Sequence, residues 1–294
     1  MAQLGAVVGV PHAPYLLKQS SGVREPVSES TLAVLDRGRR FAAILETARP
    51  DVLLMVGNDH FHQFFMDNMP AFLIGRMPTF AGVYPNEVRE FGMTPCTIPG
   101  DVDVANALLE GGLGRGVDFA YSDDLRLDHS IITPLVHLGL RPALDVPIVP
   151  ILTNCVAPPL PPAHRFLAVG ETIRAILDDM DPALRVAVVC SGHLSLDIGG
   201  PRQFLDEATD RDFDERVAGF VGSGDVDGLL ELCSFDRMTG AGNVTLAVMN
   251  FILGMGIAGD MPNVHAEAMT GHGPSQPFFA WQAEEVGTDE SRPR

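Results

Sequence analysis

The chain has 294 residues and a net charge of −18, from 20 Lys and Arg against 38 Asp and Glu. Apolar residues make up 46% and charged residues 20%, which supplies a proper core and excludes collagen-like, coiled-coil and disordered classes. So acidic a surface repels phosphate backbones and anionic lipid, so neither a nucleic acid nor a membrane is an expected partner. No run approaches the ~20 apolar residues of a membrane span. The first residues, Met1 to Gly5, carry neither a basic segment nor a cleavage site, so a cytoplasmic protein is expected.

In chain order, the short apolar runs Leu4–Val10, Asp51–Gly57, Ala71–Gly75, Val146–Leu152 and Leu184–Cys190 predict strands buried on both faces. Between them, helical spacing covers Ser30–Glu46, Val102–Leu109, Ile131–Leu138, His164–Asp178, Glu207–Val221 and Gly242–Leu253. The alternation predicts an α/β fold, a central mixed sheet flanked by helices, as one catalytic domain over 1–286 with a frayed tail at 287–294. Pro and Gly concentrate in Arg76–Pro99 and Ala157–Pro162, expected as long loops framing a site. The glycine-rich stretch Gly111–Gly116 reads as the end of a helix, since it fits no nucleotide-binding pattern. The acidic run Asp206–Glu215 reads as a solvated helix face, and Phe61, Phe64, Phe65, Met66 and Met69 as core or pocket wall, core being favoured. Cys96, Cys155, Cys190 and Cys233 are far apart and expected as free thiols.

The histidines carry the chemistry. His12 follows the first strand, His60 the second, and His193 the strand ending at Cys190, while His129 opens a helix after Asp128. Open α/β sheets bind ligands beyond the carboxyl ends of their strands, so these imidazoles should converge on one crevice. A single loop histidine is usually just a surface or hydrogen-bonded residue; four at equivalent positions point to metal or acid–base work. Asp59 is expected to cap its loop or to orient the neighbouring imidazole.

These segments resemble the class III extradiol ring-cleavage dioxygenases, the family of the protocatechuate 4,5-dioxygenase β subunit and the 2,3-dihydroxyphenylpropionate dioxygenase. The matching pieces are Pro11-His12-Ala13-Pro14, Asn58-Asp59-His60 with Phe64 to Pro70, and Leu127-Asp128-His129-Ser130 with Pro134-Leu135. Val146 to Pro150, Ser191 to Ser195 and Gly200-Pro201-Arg202 complete the ordered set. The resemblance implies an α/β fold and Fe(II) held by two histidines and one glutamate, with open positions for a vicinal diol and O₂. His12 and His60 would be the histidine ligands. His129 and His193 are expected to move protons or orient substrate; Ser191, Asn243 and Thr245 are this sequence's own candidates for substrate contacts, apart from the resemblance.

Two positions depart from the family pattern. Leu196 stands where the family has its other catalytic histidine, with His193 three places earlier. Thr245 stands where the glutamate ligand is expected, and no carboxylate occurs between Asp236 and Asp260. Glu267 or His193 is then a candidate to complete the site. The expected function is insertion of O₂ into a small dihydroxylated aromatic or heteroaromatic ring, by an oligomer that is a homo-oligomer or includes a partner subunit. The alternatives are a metal-independent lyase or hydrolase on the same scaffold, with His193 as base, and a ligand-depleted subunit of a hetero-oligomeric dioxygenase.

Overall fold

The five predicted strands form and lie side by side. In the computed structural model, residues 1–20, 27–140, 146–200, 203, 209–271 and 273–283 are described. The elements are β1 (Gln3–Pro11), α1 (Pro14–Ser20), α2 (Glu29–Ala48), β2 (Val52–Gly57), β3 (Phe72–Gly75), β4 (Thr79–Gly82), α3 (Pro85–Phe91) and β5 (Cys96–Pro99). There follow α4 (Val102–Gly114), β6 (Ala120–Ser122), β7 (Arg126–Leu127), α5 (His129–His137), β8 (Ile148–Thr153), α6 (Ala163–Asp178) and β9 (Arg185–Gly192). Last come α7 (Arg211–Ser223), α8 (Val226–Leu232), α9 (Phe235–Ala241), α10 (Met249–Ala258) after a 3₁₀ turn at Thr245–Val248, β10 (Asn263–Gly271) and β11 (Gly273–Gln282).

The main sheet has eight strands in the order β10-β11-β1-β9-β2-β8-β3-β6. Its centre, β1-β9-β2-β8, is parallel, whereas β11 and β3 join antiparallel on either side. The sheet is therefore mixed and flanked by helices, as expected. Side chains alternate across the parallel strands with a period of two. Val52, Leu54, Val56, Val186, Val188 and Cys190 enter one apolar layer with α6 and α10 residues such as Phe166 and Phe251. Leu53, Met55, Ala187 and Val189 enter the other layer, with Phe41 of α2 and Ile131 of α5. Burial on both faces is what made these runs continuous in sequence.

Helix α10 is buried along its whole length, which accounts for its apolarity; among the described residues no single helix is long and apolar enough to cross a membrane. It crosses α6 backbone to backbone. A Cβ on Gly170 would run into the Leu253 carbonyl oxygen, and one on Gly256 into that of Leu167. Only glycine allows this approach.

Several expectations are corrected. Arg76–Pro99 is not a loop but carries β4, α3 and β5, and β4 lies between β5 and β7 in a three-stranded sheet beside the main one. The hairpin β10–β11 was not predicted, because its edge strand has weak alternation and half-buried side chains. The helix expected from Glu207 is described from Arg211, Asp206 and Glu207 lying outside the described residues. Within that run Asp214 is buried and accepts hydrogen bonds from the Ser195 amide and hydroxyl at 2.8 Å each, so this carboxylate is not solvated. Phe61, Phe65 and Met66 are exposed (37%, 50% and 71%), which overturns the core reading for them. Arg202 and the tail at 287–294 also lie outside the described residues. The four cysteines are free thiols.

Candidate metal centre

Strands β1, β9 and β2 are neighbours and point the same way, so their carboxyl ends deliver His12, His193 and His60 to one place. His129, the first residue of α5, faces them from the α2–α5 layer. The ring centroid of His12 lies 5.3 Å from that of His60, 5.8 Å from that of His129 and 4.1 Å from that of His193. His60 and His129 stack at 4.0 Å. One ring nitrogen from each of His12, His60 and His129 falls within 4.8 Å of the other two.

Each of these three imidazoles is oriented from behind. Ser191 Oγ donates to the Ser130 carbonyl at 2.6 Å, so it accepts from His12 Nδ1–H at 3.1 Å. Asp128 caps the N-terminus of α5 through the Ser130 amide, and its other oxygen accepts from both the amide and Nδ1 of His60 at 2.9 Å. Asn58 Nδ2 donates to His60 Nε2 at 3.1 Å, which places the ring proton on Nδ1. Glu87, buried in the first turn of α3, accepts from the Tyr84 amide at 2.8 Å and from the amide and Nδ1 of His129 at 2.8 and 2.7 Å. With Nδ1 protonated in all three rings, each Nε2 carries the lone pair; that of His12 is buried without a partner, and that of His60 is taken by Asn58 Nδ2, which a bound cation would displace.

The charges sharpen this picture. Burial presses the His60 imidazole down, but the Asp128 carboxylate more than offsets it, and the net shift is upward. Burial acts against the Asp128 carboxylate too, yet His60 and His129 beside it hold it well below the usual range. Burial lowers His129 and His12, each further depressed by neighbouring imidazoles, and pushes His193 down to about 3. A buried cluster of ring nitrogens, backed by the Asp128 carboxylate held in its charged form, suits a divalent cation.

The expected residues separate into groups. His12, His60, His129 and His193 meet, as anticipated. Asp59 does cap its loop, accepting from the amides of His62, Gln63 and Phe64, while orientation of His60 falls to Asp128. Ser191 serves His12, Thr245 Oγ1 accepts from the Leu196 amide, and the Asn243 side chain pairs with both backbone groups of Ile198. These three hold the scaffold and are engaged before any substrate arrives. Glu267 is paired with Arg37 and His265 on the edge strand β10, so it supplies no ligand here. Sequence reasoning missed Glu87 and Asp128. Asp128 had a visible signal, an N-cap directly before a histidine; Glu87 sat inside a segment taken for a loop. It also missed Phe91, whose ring lies 5.7 Å from His129 and 5.1 Å from Tyr15, giving the site an aromatic flank.

A family model described as the catalytic LigB subunit of aromatic ring-opening dioxygenase matches residues 6–283. The 2,3-dihydroxyphenylpropionate/2,3-dihydroxicinnamic acid 1,2-dioxygenase of Mycolicibacterium smegmatis is 34% identical over 186 residues, 63% of this chain and 55% of that protein. A similarly named enzyme of Pseudomonas putida is 33% identical over 159 residues (53% and 47%), and one of Mycobacterium sp. strain MCS 34% over 199 residues (67% and 58%). The chain thus spans about half the length of the curated relatives it matches.

Proposed function

Because the chain belongs to the LigB family of catalytic subunits of aromatic ring-opening dioxygenases, we propose that it opens a small dihydroxylated aromatic or heteroaromatic ring with O₂, using Fe(II) held at His12 and His60. The observation that carries this reading is the buried, unpartnered Nε2 of His12 facing the oriented rings of His60 and His129. The names of the relatives support a catechol-type ring bearing an acidic side chain as the substrate class. When bound, the iron would supply a Lewis acid for the deprotonated diol and a route for electrons to O₂.

The protein's own residues do the rest. Ser191 and Asp128 fix the rings of His12 and His60, so that only the Asn58 amide on His60 Nε2 need give way to a cation. Phe91 flanks the site with an apolar face on which a planar ring stacks. His193 packs its ring against that of His12 and stands at the carboxyl end of β9, where its imidazole takes or gives the proton of the diol during ring opening. The parallel strands β1, β9 and β2 already bring these groups together.

An anaerobically iron-loaded sample in an oxygen electrode, offered catechols with and without acidic side chains, gallate-like acids and hydroxypyridines, tests the reading. Substrate-dependent oxygen uptake that chelation abolishes is the expected result. No uptake with any diol rejects ring cleavage, and turnover without oxygen that survives chelation favours the metal-independent lyase or hydrolase.

A further inference from the structure

We propose that the cation is held by three imidazoles, with His129 as the third protein ligand and no carboxylate in direct contact. This deepens the ring-cleavage reading and rests on a divalent metal being bound. Four observations carry it. One ring nitrogen from each of His12, His60 and His129 lies within 4.8 Å of the other two. Each of these rings has its Nδ1–H taken by an acceptor behind it, so each turns its Nε2 lone pair away from that acceptor, and the Asn58 amide on His60 Nε2 at 3.1 Å is the one group a cation must displace. No carboxylate occurs between Asp236 and Asp260, the stretch that contains Thr245, and Thr245 itself is buried and occupied by the Leu196 amide. Glu267 is paired with Arg37 elsewhere, and Asp128 and Glu87, the carboxylates nearest the cluster, are taken up by the Nδ1–H groups of His60 and His129.

Charge accounts for how a neutral ligand set works here. Three neutral imidazoles leave the full double charge on the cation, which a buried site does not tolerate unaided. Asp128 and Glu87 stand one hydrogen bond behind two of the rings, at 2.9 and 2.7 Å, which places two carboxyl groups just outside the ligand set. The carboxylate function is thereby moved outward rather than lost. A ring that donates to a carboxylate is also a stronger base toward metal. His193 lies outside the set of three nitrogens and packs against His12, which leaves it for substrate.

The test uses the full chain, stripped of metal and titrated with Co(II) alone against a competing chelator. His129→Ala should bind Co(II) at least about 100-fold more weakly than wild type, as His60→Ala should, while His193→Ala stays within about threefold. Pulsed electron paramagnetic resonance of the Cu(II)-loaded wild type should count three coupled imidazoles, falling to two in His129→Ala. Unchanged Co(II) affinity in His129→Ala overturns the assignment. So does a wild-type count of two, or a loss in His193→Ala as large as in His60→Ala. Should His129→Ala fail to fold, the imidazole count on the wild type decides alone. Oxygen uptake absent from a protein that shows three imidazoles would reject ring cleavage and leave the ligand set standing.

Discussion

Asp128→Asn isolates what one carboxylate does for the centre. The native oxygen that takes both the amide and Nδ1 of His60, each at 2.9 Å, becomes an amide oxygen, while the Ser130 amide faces an NH₂ group instead of an acceptor. A hydrogen bond to a charged group contributes about 1.5–3 kcal/mol and one between neutral groups about 0.5–1.5, so two such exchanges cost about 2 kcal/mol. Loss of the helix cap adds about 1 kcal/mol. Relief from burying a charge works the other way, so the metal-free protein should lose about 2 kcal/mol net, a fall in Tm of roughly 4–6 °C for a chain of this size. His60 also becomes a weaker base, and Co(II) affinity should drop by about 10- to 100-fold. Thermal melts of the metal-free form and a chelator-competition titration read the two effects separately. A variant that binds Co(II) within twofold of wild type would refute the reasoning, whatever its melting point.

Three further outcomes are expected. His193→Phe fills the same space without a proton carrier and should cut kcat by at least about 100-fold while KM moves by less than about threefold; a KM effect without a kcat effect would make His193 a binding group only. Burial pushes His137 down to about 4. Its folded pKa is thus depressed, so the folded state binds fewer protons, and stability present above about 6.5 is lost as pH falls toward 4. His137→Leu cannot titrate, so its unfolding free energy relative to wild type should improve by about 3 kcal/mol between pH 7 and pH 4; a difference flat with pH, read from urea melts, would remove His137 from the acid response. Gly256→Ala drives a Cβ into the Leu167 carbonyl and should destabilise by about 2 kcal/mol in the same melts, and an unchanged midpoint would show that α6 and α10 separate freely.

The parallel centre of the sheet was legible because both its faces are buried. Runs such as Val52–Gly57 have no polar face to interrupt them, and a short continuous apolar run between helices has few other homes. The meeting of His12, His60 and His193 followed, since it depends only on strand direction. What the sequence concealed depends on partners brought from elsewhere. Glu87 lies 42 residues from the His129 it supports, on a helix of seven residues whose pattern is too short to read. Ser191, Asn243 and Thr245 are polar residues near the site, and composition alone cannot tell a group waiting for substrate from one already engaged by its protein neighbours. Phe61 and Met66 show the same limit in reverse: apolar side chains suggested interior, yet the loop that Asp59 caps turns them outward, with Phe61 itself in the left-handed region at φ 56°.

The glycine seam between α6 and α10 divides the molecule mechanically. Where main chains touch, no side-chain rotamer is available to absorb a shift, so β1 and β9, which pack on α10 and lead into His12 and His193, rest on an anvil. Glu87 reaches His129 from the opposite half, on a short helix carried by the small side sheet. Any widening or narrowing of the crevice around a guest must therefore be taken up on the Glu87 side, and a crosslink bracing that helix would stiffen the entrance without touching the anvil.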